Sequence, residues 1–122
     1  MAAGTLTKTG QLEHDCLCQV LYGAYTYFAL NNGEIWRYTI ASGVLAKLGS
    51  FPYEDIVPVC ICTDNTNLFW GSNKRGIHQT VIASGVTTLV GSLYDQPQSI
   101  SYASNTLYIT TKNGGIYTMA TA

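Results

Sequence analysis

Charge is scarce in this chain. Asp, Glu, Lys and Arg together make up 11% of the 122 residues, the formal net charge is −1, and Lys74-Arg75 is the one adjacent basic pair. A nucleic-acid surface needs clustered Lys and Arg, so no nucleic-acid partner is expected. No apolar run approaches the length of a bilayer span, so no membrane partner is expected either. The opening "MAAGTLTKTG" lacks the charged and apolar regions of a secretory leader; a processed N-terminus would read the same, and the compartment stays open. Helical periodicity is missing throughout, since no window sustains apolar residues at i, i+3, i+4 and i+7. There are two histidines and no nucleophile-elbow motif, so no catalytic residue is assigned and an enzyme is not expected. The length fits one small domain over residues 1–122.

What the chain does contain is repetition. "TYFALNNGEIWRYTIASGVLAKLGS" (Thr26 to Ser50) and "NLFWGSNKRGIHQTVIASGVTTLVGS" (Asn67 to Ser92) are nearly the same sentence, and "TLYITTKNGGIYTMATA" (Thr106 to Ala122) begins a third copy. Each copy has an anchor isoleucine: Ile35, Ile77 and Ile116. Nine residues before each stand Thr26, Leu68 and Leu107, and each of these is followed by an aromatic, Tyr27, Phe69 or Tyr108. Gly43 and Gly85 are 42 residues apart, and Gly4 lies 39 before Gly43. A period near forty, with four short alternating segments per copy, is the signature of a β-propeller blade.

Each segment reads as a strand, rich in Thr, Val, Ile and aromatics and punctuated by Gly, Asn, Asp and Ser. Strand A is predicted at Asp15–Leu21, Val57–Thr63 and Gln98–Ala103, and strand B at Tyr25–Leu30, Asn67–Ser72 and Thr106–Thr111. Strand C is predicted at Glu34–Ile40, Gly76–Ile82 and Gly115–Ala120, and strand D at Val44–Leu48, Val86–Val90 and, near the N-terminus, Thr5–Thr9. The blades therefore span 15–48, 57–90 and 98–120, the last to be completed by 5–9.

Three blades are fewer than the usual four to eight around a channel, and an unfilled third blade would leave open strand edges. Head-to-tail association that closes into a ring removes both problems. The expected partner is a second copy of the chain, giving a six-bladed homodimer in which each copy lends its N-terminal strand to the other's last blade; a nine-bladed trimer is the lesser alternative. The residues assigned to that strand exchange are Thr5, Leu6, Thr7, Ile116, Tyr117 and Met119.

"LFWGSN" (Leu68 to Asn73) and "LYITTK" (Leu107 to Lys112) resemble the YWTD-type strand of six-bladed propellers, the group that, with the NHL-like propellers, the blades resemble most, although the Asp of that motif is absent from all three copies. The resemblance implies a β-propeller fold over almost the whole chain. Oligomeric propeller lectins, built from short multi-blade chains, are a further likeness, and they make a ring of several copies a known kind of solution. Function does not follow from the fold, because propellers host binding and catalysis alike.

Cys16-Leu17-Cys18 and Cys60-Ile61-Cys62 invite a metal reading, but residues i and i+2 on a strand share a face, whereas structural zinc sites favour a C-x₂₋₄-C turn. The two pairs read as equivalent positions of successive A strands, with Ser99 and Ser101 in the third copy. Buried thiols packing as small hydrophobes are expected, and no metal or cofactor is assigned.

The D–A loops and B–C turns of a propeller emerge on one face. The D–A loops read "QLEHD" (Gln11–Asp15), "FPYED" (Phe51–Asp55) and "LYDQP" (Leu93–Pro97), each with an acid and two with a Tyr. Aromatic platforms beside carboxylates suit a sugar, so a glycan is the expected ligand class, with His14, Asp15, Tyr53, Glu54, Asp55, Tyr94 and Asp95 as candidate binding residues. The competing reading is that Asp15, Asp55 and Asp95 hold backbone amides at strand starts. Under it the chain is an assembly unit with no specific ligand. A third possibility is a hydrolase or lyase at the channel mouth, where Glu13, Asp15, Glu54 and Asp55 would converge. The B–C turns "NNGE", "NKRG" and "KNGG" read as turn chemistry. Trp36 and Trp70 read as packing residues, and His78, in the place of Trp36 and Tyr117, as a blade residue.

Overall fold

The computed structural model describes residues 4–50 and 56–121, which form eleven strands in three antiparallel sheets. The first sheet holds β1 (Cys16–Tyr22), β2 (Tyr25–Leu30), β3 (Glu34–Thr39) and β4 (Val44–Ser50). The second holds β5 (Pro58–Thr63), β6 (Asn67–Ser72), β7 (Gly76–Val81) and β8 (Thr87–Ser92). The third holds β9 (Pro97–Ala103), β10 (Thr106–Thr111) and β11 (Ile116–Ala120). Within each sheet, strands adjacent in sequence are hydrogen-bonded neighbours, so each is a meander. The turns are set by residues that accept a left-handed backbone: Gly23, Asn65 and the pair Ser104-Asn105 after the A strands, Gly33, Arg75 and Gly114 after the B strands, and Gly43 and Gly85 after the C strands.

The copies share their strand register, down to its irregularities. The A–B pairing slips at the same place in each sheet, between Cys16 and Cys18, Pro58 and Cys60, and Thr110 and Thr111. The C–D pairing slips at Ile35/Trp36 and again at Ile77/His78. A bulge repeated at one position twists each blade in the same way. The same register corrects the expected alignment of the cysteines. Cys18 faces Ala29, Cys60 faces Gly71 and Ser99 faces Thr110, whereas Cys16 faces Leu30 where its counterparts Pro58 and Pro97 face Ser72 and Thr111. The two Cys-x-Cys pairs are thus offset by two residues: Cys60 lies 42 residues after Cys18, the spacing that also separates Ile35 from Ile77 and Gly43 from Gly85. Cys60 and Cys62 are buried, as small hydrophobes would be, but Cys16 is exposed.

The core is two layers between three sheets. Tyr27, Ala29 and Ile35 of the first sheet pack on Ile61, Leu68 and Trp70 of the second. Cys60, Cys62, Phe69 and Ile77, on the other face of the second sheet, pack on Ile100, Leu107 and Ile109 of the third. Period-two alternation explains this directly. Leu68 and Trp70 point one way along β6 and Phe69 the other, and both directions are apolar because the sheet is covered on both sides. At the outer rim β4 meets the β7–β8 turn so closely that a Cβ on Gly49 would lie 2.8 Å from the Gly85 carbonyl oxygen, so both positions exclude a side chain.

One buried polar cluster ties the second sheet together. The Trp70 indole N–H donates to Thr80 Oγ1 at 3.0 Å, the Thr80 and Thr87 hydroxyls share a 2.7 Å hydrogen bond, and His78 stacks on Trp70 with ring centroids 4.1 Å apart. Burial disfavours the imidazolium and lowers the His78 pKa. The unfolded chain therefore binds a proton more readily than the folded one. Stability is full above the ordinary histidine value, near 6.5, and falls as the pH drops below it. Glu34, held down to about 2 by hydrogen bonds from Lys47, Asn32 and Trp36, titrates in a separate, more acidic window. Urea unfolding at pH 7.5 and pH 5.5 is expected to show a clear loss of stability at the lower pH, and His78→Phe to remove most of that difference.

Candidate functional site

The rim formed by the D–A loops and B–C turns is one face of the molecule, as its hydrogen bonds show. Arg75, in the β6–β7 turn, donates from Nη1 to the Tyr94 carbonyl oxygen at 3.1 Å, and the Leu93 amide donates to the Arg75 carbonyl at 2.8 Å. The Asn31 amide donates to the Asp15 carbonyl, and the Lys112 amide to that of Gln96. Arg75 sits at a positive φ of 68° where the sister turns carry Gly33 and Gly114; its guanidinium bridges the two loops, which a glycine would not do.

Asp95 is a turn former. Its Oδ2 accepts from the Asn113 amide at 2.7 Å and its Oδ1 from the Gln96 amide at 2.8 Å. Partial burial raises its pKa, but the amides of Asn113 and Gln96, the Thr111 hydroxyl and the Lys112 charge outweigh it, and the net shift is downward. Tyr94 beside it is 91% exposed. His14 and Asp15 are exposed and line a cavity of about 500 Å³ between the 9–16 segment and the first sheet. Tyr53, Glu54 and Asp55 lie outside the described residues. Three of the candidates, His14, Asp15 and Tyr94, thus present side chains at the rim, and Asp95 is committed to backbone.

Three of the four thiols are held protonated by burial. Burial pushes Cys18 and Cys62 up to about 12 and Cys60 up to about 11, so they are protonated near neutral pH, the opposite of a thiolate nucleophile or ligand. Among the described residues no group of three His, Cys, Asp or Glu side chains gathers to hold a metal ion.

The most telling surfaces are the two outward sheet faces. Tyr27, Phe69 and Tyr108 occupy one register position in the three sheets; the first two are 1% exposed and the third 46%. Ile35 and Ile77 are buried against the following sheet, and their equivalent Ile116 is 80% exposed. At the other end Phe28, Tyr38 and Leu45 of the first sheet stand where Trp70, Thr80 and Thr87 stand in the second, and they line the cavity instead of meeting another sheet. Thr5, Leu6 and Thr7 belong to no sheet, and Leu6 is fully exposed. Tyr117 and Met119 point inward and pack on the second core layer, so of the three β11 residues singled out from sequence only Ile116 faces outward. Phe28, Tyr38 and Leu45 did not stand out in the sequence, although the alternation along β2 and β3 marks them.

No protein-family model matches the chain, and comparison with curated proteins gives no significant match. Solved structures do match. The WD40 β-propeller domain of Doa1 aligns with a TM-score of 0.73 at 8% identity over 91% of this chain and 39% of that one. The computationally designed Ika8 protein aligns with a TM-score of 0.69 at 12% identity, over 84% of this chain and 32% of that one. The computationally designed Ika4 protein aligns at 0.61 and 10% identity, over 99% of this chain and 100% of that one. The chain therefore spans about a third to two fifths of Ika8 and of the Doa1 domain, and the full length of Ika4.

If Asp95 works as a turn former, Asp95→Ala is expected to lower the melting temperature, by freeing two amides, while Tyr94→Ala leaves it unchanged; thermal melts followed by circular dichroism check both. The sheets, their shared register and these matches together show that the chain is built of β-propeller blade repeats.

Proposed function

We propose that this protein is a β-propeller binding module completed by a second copy of itself, with a carbohydrate as the ligand class of its loop rim. The observation that carries the reading is the contrast between equivalent positions: Tyr27 and Ile35, and Phe69 and Ile77, are buried by a following sheet, while Tyr108 and Ile116 are exposed. The third sheet's outward face thus exposes two apolar side chains, Tyr108 and Ile116, at positions that its two sisters cover. The first sheet offers the complementary face, with Phe28, Tyr38 and Leu45 lining a cavity of about 500 Å³. Tyr108 of one copy against that cavity of the next repeats the contacts that Tyr27 and Phe69 make within the chain. Full burial of each such side chain is worth about 1.5–3 kcal/mol. Two copies with two such junctions give six sheets around one axis, a heterologous contact that closes.

The carbohydrate reading rests on the rim. Exposed Tyr94 supplies an aromatic face, and Asp15 and His14 supply polar groups within reach of hydroxyls; a ring of two copies presents each of them twice, which favours a multivalent ligand. Asp95 contributes by shaping the loop that carries Tyr94. We read the module as binding without catalysis.

Sedimentation of the wild type is expected to give twice the mass of one chain, and Tyr108→Glu the mass of one chain, because a carboxylate cannot enter an apolar junction unpaired. A wild-type monomer at high concentration overturns the assembly. A glycan array probed with the assembled protein is expected to give hits that Tyr94→Ala and Asp15→Ala lose without losing the assembly; an array without hits overturns the carbohydrate class.

A further inference from the structure

The segment before β1 carries a pattern that the two complete D strands share. Gly43 and Gly49 bracket five residues in β4 and its turn, Gly85 and Gly91 bracket five in β8 and its turn, and Gly4 and Gly10 bracket "TLTKT". In both formed strands the pattern has a structural meaning. The first glycine closes the C–D turn, with the Gly43 amide donating to Thr39 O at 2.8 Å and the Gly85 amide to Val81 O at 2.7 Å. The second glycine pairs with the anchor isoleucine, Gly49 with Ile35 and Gly91 with Ile77, immediately before the bulge.

Two further observations say where the segment belongs. β11 is hydrogen-bonded to a strand on one side only, among the described residues, and is the third-copy equivalent of β3 and β7, each of which has a D strand on its far side. Gly10 also already lies beside Tyr38 and Leu45, 4.0 and 3.9 Å from the place a Cβ would take, near the C–D turn of the first sheet. Gly49 lies in the same way beside the C–D turn of the second sheet, at Gly85. The segment thus follows the course that the D strand of a preceding blade takes.

We propose that residues 4–11 of one copy form the fourth strand of the β9–β11 sheet of the next copy, antiparallel to β11, with Gly10 opposite Ile116, Lys8 opposite Tyr117, Thr7 opposite Thr118 and Leu6 opposite Met119, and with Thr9 as the bulge. This rests on the two-copy reading above but concerns the sheet edge and its register, which face-to-face packing does not require. The register transfers residue for residue from β8 on β7, where Gly91, Leu89, Thr88 and Thr87 stand opposite Ile77, His78, Gln79 and Thr80. It places Leu6, fully exposed in the single chain, beside Met119 at the margin of the second core layer. It also satisfies the backbone groups of the β11 edge, which an open strand leaves as a template for unwanted pairing.

The test is a cysteine pair across the predicted register. Thr7→Cys with Thr118→Cys, in a Cys16→Ser background that removes the exposed native thiol, is oxidised mildly and run on a non-reducing denaturing gel; both positions are exposed in the single chain, so folding is preserved. The expected result is a reducible covalent dimer whose peptide map joins residue 7 to residue 118, with at least tenfold less product from the misaligned pair Leu6→Cys with Thr118→Cys. A two-copy particle by sedimentation that gives no 7–118 link, or links equally well in the misaligned pair, overturns the strand exchange and its register while leaving the face-to-face assembly standing. A single-chain particle with no link overturns both.

Discussion

A β-sheet with two apolar faces must be covered on both, and everything else in this molecule follows from that constraint. Alternation along a strand sends Leu68 and Trp70 to one side of the second sheet and Phe69 to the other, and the second sheet finds a partner in each direction. The first and third sheets repeat the alternation and, among the described residues, pack on one sheet each. At the shared positions of Tyr27, Phe69 and Tyr108, and of Ile35, Ile77 and Ile116, what distinguishes the end from the middle is the neighbour. Tyr108 and Ile116 are exposed because, among the described residues, none stands where the third sheet stands for Phe69 and Ile77.

The stacking of sheets also fixes the geometry of the rim. Because β1, β5 and β9 run side by side at the inner edge, the residues that lead into β1 and β9 emerge on one face with the B–C turns, where Arg75 and Asp95 tie the 93–96 loop to the turns before β7 and β11. The rim is thus held by backbone-directed hydrogen bonds, and side chains such as Tyr94 are presented from a fixed frame. Close glycine contacts at the outer edge, Gly49 on Gly85, set the sheet spacing at the other end of the strands. A blade repeat can be read as a device for holding variable loops in a constant arrangement.

Much of the fold was legible in the sequence, because a propeller blade is defined by local features. Period-two alternation, turn residues and a forty-residue spacing are all visible along the chain, and the strands around Tyr27, Phe69 and Tyr108 follow from them. The cysteine alignment was legible from the spacing of the repeat but masked by the matching Cys-x-Cys motifs. The Cys-x-Cys motifs start 44 residues apart whereas the repeat is 42, so Cys60 stands at the position of Cys18 rather than Cys16, as the pairing of Cys60 with Gly71 and Cys18 with Ala29 shows. Asp95 shows a second limit. Sequence offers Asp as ligand or as turn former with equal ease, and the choice depends on where the Asn113 amide lies, 18 residues away. The open faces had a trace in sequence, since Tyr108 repeats Tyr27 and Phe69, but exposure is a property of what is absent from beside a residue.

Hydroxyl-radical footprinting of the tyrosines in the assembled protein tests the central claim most directly, because the chain carries its own standards. Tyr27 is buried within the chain and Tyr94 is 91% exposed on the rim. If a second copy covers the outward face of the third sheet, Tyr108 is oxidised as slowly as Tyr27 at micromolar concentration and becomes reactive on dilution. Tyr108 reacting as fast as its exposure in the single chain dictates, at every concentration, would contradict the account.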